Sequence, residues 1–189
     1  MDHRVFERKL AWHCAPALMG LKASCLMSLS NTDCPQLEVL AEWYNAKLQG
    51  PRFLVLGRCR ERSLLLVYRP ELLKRALADP LAEQMLAEAG YPTGAPLSWQ
   101  LRRLMDRLEG DGEFPHEVGL FLGYPPQDVA GFLNDPDGTG CKLCGFWKVY
   151  HDVEEARRQF QKFRRCRDWM RGRLERGETL TALLGRQIA

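Results

Sequence analysis

Arg52–Arg69 reads RFLVLGRCRERSLLLVYR, two apolar runs separated by a charged loop. Phe53–Leu56 and Leu64–Val67 would carry apolar side chains on both faces of an extended chain. Strands of that kind belong in a sheet with helices on both sides. The spacing predicts strands over 52–57 and 63–69, paired as an antiparallel hairpin through Arg58–Arg62. Working outward, Leu21–Leu29 alternates with period two and reads as a third strand, although it also passes as helix. Lys142–Tyr150 reads as a fourth, with Leu143, Trp147 and Val149 on one face, and it is expected in the same sheet. The fold class is therefore α/β, one domain over 1–189 with a small mixed sheet of about four strands covered by helices.

Helices fill the rest. Arg4–His13 is expected to turn Val5, Phe6, Leu10, Trp12 and His13 inward and to stop before Pro16. Asp33 caps a helix with Leu37, Leu40, Ala41, Tyr44 and Leu48 on its inner face. Pro70 and Pro80 each start a helix, and Leu101, Leu104, Met105 and Leu108 form the stripe of another. Pro115–Leu122 and Pro126–Leu133 are two short helices hinged at Gly123–Pro126. Val153–Arg171 is a long helix packing Phe160, Phe163, Cys166 and Met170 inward, and a short helix follows Gly177.

Composition narrows the function classes. The 189 residues are 46% hydrophobic and 27% charged, the balance of a water-soluble globular chain. No apolar run approaches the ~18–20 residues needed to span a membrane, and the charged N-terminus lacks the apolar core of a signal peptide. A cytoplasmic location follows as the expectation, and with it seven mostly reduced cysteines. A net charge of +3 does not by itself imply a polyanionic partner. Arg157–Arg176 carries nine basic residues, but Glu154, Glu155, Asp168 and Glu175 interleave, so a solvated helix face is favoured over nucleic-acid binding.

Candidate chemistry concentrates in Phe114–Tyr150, FPHEVGLFLGYPPQDVAGFLNDPDGTGCKLCGFWKVY. Cys141-Lys-Leu-Cys144 has the spacing of half a metal site, to be completed by His151, by His13-Cys14 or by Cys34, with iron, haem or zinc as the candidate cofactor. A redox-active pair and plain structural thiols are the competing readings. Three residues apart on one extended strand, the two thiols would point to opposite faces; only a tight turn over Gly138–Cys144 brings them together. His13-Cys14 is either a ligand or activated-thiol pair or a helix end with a packed cysteine. His116, directly after Pro115 at an expected helix start, is the candidate acid/base residue, the alternative being a bond to a neighbouring carbonyl.

Several blocks carry a family likeness: His13-Cys-Ala-Pro-x-Leu-x-Gly-Leu-Lys22, Val67-Tyr-Arg-Pro70, His116-Glu-Val-Gly-Leu-Phe-Leu-Gly-Tyr-Pro125, Asp128-Val-x-Gly-Phe132 and Cys144-Gly-Phe-Trp-Lys-Val-Tyr150. They resemble an uncharacterised bacterial family, carrying a domain-of-unknown-function label and found mainly in anaerobic bacteria. The resemblance implies a family and no activity. It is what groups Lys22, Tyr68, Arg69, Lys148 and Tyr150 as residues lining one cleft and holding a carboxylate or phosphate. The expected function is binding of a small ligand or metal with a redox link. The alternatives are an enzyme using His116 on a small anionic substrate and a structural or regulatory adaptor.

Overall fold

The computed structural model describes residues 3–58, 61–109 and 114–185. At its centre lies a three-stranded sheet of β1 (Ser24–Ser30), β2 (Arg52–Arg58) and β3 (Arg62–Tyr68) in the order β1-β3-β2. Both pairings are antiparallel, with Leu26 and Leu54 opposite Leu66, and Met27 and Val55 opposite Leu65. The expected hairpin is present, and the period-two segment is its third strand. The sheet is antiparallel throughout, which corrects the expectation of a mixed one.

The doubly apolar strands are covered on both faces, as their composition requires. On one side Cys25, Met27, Leu29, Phe53, Leu65 and Val67 pack under α1 (His3–Leu18), α2 (Leu37–Lys47), α8 (Val153–Glu175) and α9 (Leu180–Gly185). On the other, Leu26, Leu54, Leu56, Leu64 and Leu66 pack under α3 (Pro70–Leu77), α4 (Pro80–Glu88), α5 (Leu97–Glu109), α6 (Val118–Phe121) and α7 (Pro126–Leu133).

Three expectations are corrected here. Helix α1 runs past Pro16 to Leu18, because a proline near the end of a helix forfeits a single bond there. The turn is closed by the amides of Leu21 and Lys22 donating to the Pro16 carbonyl at 2.8 and 3.1 Å. Trp12 and His13 face outward while Cys14 is fully buried; the Trp12 ring is covered instead by the guanidinium groups of Arg167 and Arg171, 4.4 and 4.8 Å from its centroid. Finally, Lys142–Tyr150 is not a fourth strand of the sheet. It folds on itself as a separate ribbon, β4 (Leu143–Cys144) against β5 (Lys148–Val149).

The ribbon turns because Gly145 lies flat on Phe160 of α8, where any side chain would overlap the ring. The Gly145 amide then donates to the Trp147 carbonyl at 3.0 Å. Leu143, Phe146, Trp147 and Val149 therefore all reach one small core with Ala156, Phe160 and Phe163, instead of alternating across a sheet. The first half of α8 closes this satellite core. Its second half lies along α1 and joins the main core through Cys166, Met170 and Leu174.

Candidate functional site

The site is assembled where α6, α7 and the ribbon meet. Pro115, His116 and Glu117 form a turn that leads into α6, a helix of four residues. Glu117 anchors that turn from below: it is buried, accepts from the Tyr91 hydroxyl at 3.1 Å and pairs with the Arg107 guanidinium at 2.5 Å. His116, next to it, is left exposed at the surface. The expected longer helix with His116 in its first turn is thus not formed, and the histidine sits before a single helical turn. The chain reverses at Gly123, where φ is +66° and a Cβ would lie 2.8 Å from that of Ala23. Pro125 and Pro126 then start α7.

Asp128 fixes α7 to the ribbon. It is 3% exposed, and its Oδ2 accepts from Trp147 Nε1 at 2.7 Å. Its Oδ1 accepts from the amides of Tyr150 and His151 at 2.8 and 2.9 Å. The position in the first turn of α7 also suits a carboxylate. Trp147, so held, stacks on Tyr124 with centroids 5.4 Å apart and meets Phe160 edge-on at 4.5 Å. Burial pushes the Tyr124 phenol up to about 12, so it stays protonated.

Between these elements lies a cavity of about 340 Å³, at the lower end of the ~300–1,000 Å³ typical of small-molecule sites. Phe114, Val118, Tyr124, Val129, Phe132 and Trp147 make its wall apolar. Among the described residues two basic side chains stand at it, both against Phe132: the His116 ring at 5.4 Å and Lys148 Nζ at 5.2 Å from the Phe132 centroid. Asp128 also borders the cavity, but its oxygens are engaged by the three donors above. A second hollow of about 320 Å³ shares Phe114 and His116 with the first and carries Glu88, Arg107 and Glu117.

Of the residues singled out from sequence, His116 and Lys148 come together here. The others do not. Lys22 is 7% exposed; its Nζ donates to the Ser24 carbonyl at 2.8 Å and lies 4.7 Å over the Tyr124 ring, reaching the cavity wall only through that ring. Burial lowers its pKa, against the pull of Cys25 and Cys14 nearby. Arg69 caps α1, its Nε donating to the Ala17 carbonyl at 3.0 Å and Nη2 to that of Leu18. Tyr68 ends β3 opposite Ser24 and Arg52 and joins the core under α3–α7. His13 is exposed on α1 and Cys14 points into the core. The single cleft expected for Lys22, Tyr68, Arg69, Lys148 and Tyr150 is therefore not formed.

Cys141 and Cys144 do converge: their Sγ atoms are 3.2 Å apart. Of the two alternatives, extended strand or tight turn, the second is found: residues 139–140 are turn, 141–142 are irregular and only Leu143–Cys144 is strand. Tyr150 stands beside the pair, its pKa raised, first by burial and then by Asp135. Among the described residues no three His, Cys, Asp or Glu side chains gather as metal ligands, so neither His13-Cys14, Cys34 nor His151 completes a site with Cys141 and Cys144.

Sequence reading missed the wall. Asp128, Val129 and Phe132 fall on one face of α7 at helical spacing, and this was the available signal for a shared surface. That Trp147 would donate to Asp128 could not be read from spacing, since the two residues lie on different elements. No helix among the described residues is long and apolar enough to cross a membrane.

A family model described as Protein of unknown function (DUF3793) matches residues 10–184. The chain belongs to that family, as its motif blocks suggested. No curated protein and no solved structure matches it.

Proposed function

We propose that this member of the DUF3793 family binds a small amphipathic molecule, an aromatic or aliphatic body bearing one carboxylate or comparable anion, in the cavity between α6, α7 and the ribbon. One observation carries the reading: an aromatic-walled cavity lined by both His116 and Lys148, each in contact with Phe132. The apolar body would be drawn in by burial against Phe114, Tyr124, Phe132 and Trp147, at about 25 cal/mol per Å² removed from water. The anionic end would meet the Lys148 ammonium, with His116 as a second donor. A cationic ligand is disfavoured, because Asp128, the one carboxylate among the described residues lining the cavity, already accepts from Trp147, Tyr150 and His151.

Calorimetric titration with 4-phenylbutyrate and with its neutral counterpart 4-phenylbutanol tests this. The acid should bind at least several-fold more tightly, and Lys148→Met should erase the difference while leaving the alcohol unaffected. Val129→Phe, which intrudes on the cavity, should weaken both. Equal binding of acid and alcohol by the wild type, or affinity unchanged in Val129→Phe, would contradict the proposal.

A further inference from the structure

The Cys141–Cys144 pair is built more carefully than packing alone needs. The Asp135 carboxylate accepts from the amides of Thr139 and Gly140 at 3.1 and 3.0 Å, fixing the turn that delivers Cys141. The Lys142 amide donates to the Val149 carbonyl at 2.9 Å, and Gly145 is clamped on Phe160 just after Cys144. Between these anchors the two sulfurs lie 3.2 Å apart, and a disulfide of ~2.05 Å needs them to close by only about 1.2 Å. Among the described cysteines Cys14, Cys25 and Cys34 are buried, Cys141 and Cys166 are half-buried, and Cys144 is exposed.

We propose that Cys141 and Cys144 form a reversible dithiol–disulfide couple that exchanges with low-molecular-weight disulfides. Access assigns the roles. The Cys144 thiolate attacks one sulfur of the small disulfide, forming a mixed disulfide and expelling one small thiolate. The Cys141 thiolate then attacks Cys144 Sγ, forming the Cys141–Cys144 bond and expelling the second. The protein loses two electrons and two protons; the small disulfide is reduced to two thiols. Lys148, directly opposite Cys144 across the ribbon, supplies a positive charge favouring the attacking thiolate. Reduction by excess small thiol runs the same steps backwards.

The test uses the full chain in buffers of graded reduced-to-oxidised glutathione ratio, quenched with acid and alkylated, with peptides read by mass spectrometry. The peptide spanning Cys141 and Cys144 should lose two hydrogens as the ratio falls and regain them when reduced glutathione is restored. Cys141→Ser should instead accumulate a glutathione adduct on Cys144, and Cys144→Ser should form several-fold less adduct on Cys141. Near-ultraviolet circular dichroism of each variant verifies that it is folded. A wild-type pair that stays reduced at every ratio overturns the proposal, as does a folded Cys141→Ser chain whose Cys144 takes up no glutathione. The readout involves no cavity ligand, so it stands or falls apart from the binding reading.

Discussion

Replacing Asp128 by alanine removes the acceptor of three hydrogen bonds at once. The Trp147 indole N–H is buried, so it would be orphaned, at about 1–3 kcal/mol. The Tyr150 and His151 amides lie on a half-buried and an exposed residue, where water takes over part of the lost bonding. Their loss and that of a first-turn carboxylate bring the expected total to roughly 3–5 kcal/mol. With an m-value of about 2 kcal/mol/M, the urea midpoint should fall by about 1.5–2.5 M. Asp128→Asn keeps one acceptor oxygen and should lose about half as much. Equilibrium unfolding followed by tryptophan fluorescence and circular dichroism measures both. A loss under about 1 kcal/mol in Asp128→Ala would show that the carboxylate does not hold α7 to the ribbon.

Phe160, 2% exposed beneath Gly145 and Trp147, should cost about 3–5 kcal/mol as alanine, again by urea unfolding. Burial depresses the Lys22 pKa in the folded chain, so the unfolded chain binds more protons between that lowered value and the ordinary ~10.4. The resulting penalty is complete below the folded pKa and vanishes as pH rises through the unfolded one. The stability of Lys22→Met relative to wild type should therefore decline with rising pH across that window, and a pH-independent difference would refute the argument. Sharing a proton with Cys141 holds the Cys144 thiol above its usual range, with Lys148 pulling the other way and Tyr150 its other titratable neighbour. Its reaction with an aromatic disulfide should thus keep accelerating above pH ~8.5, and a rate already level by pH 8 would count against it.

The sheet was legible because β2 and β3 each repeat one local signal four residues long, apolar side chains on both faces. Leu143–Val149 was not, because the same alternation arises in a strand and in a ribbon pinned by a glycine on a distant ring. Nothing near Gly145 in the sequence announces Phe160. The cavity was half legible. His116 and Lys148 were marked as chemistry-bearing side chains, while Phe114, Phe132 and Trp147 look like ordinary core residues until α7 and the ribbon are brought together. Lys22 and Arg69 carried charge that suggested a site, yet the fold uses Arg69 on the carbonyls ending α1 and buries Lys22 against Tyr124. A motif records that a residue is wanted and leaves open whether a ligand or the chain's own backbone is its partner.

The binding reading is tested most directly by following backbone and indole N–H resonances of the isotopically labelled protein during titration with 4-phenylbutyrate. Saturable shifts should concentrate at His116–Gly119, Val129–Phe132, Lys148 and the Trp147 indole, the groups around the cavity. Shifts spread along the basic face of α8 with these resonances unmoved, or no saturable shift at all, would contradict it.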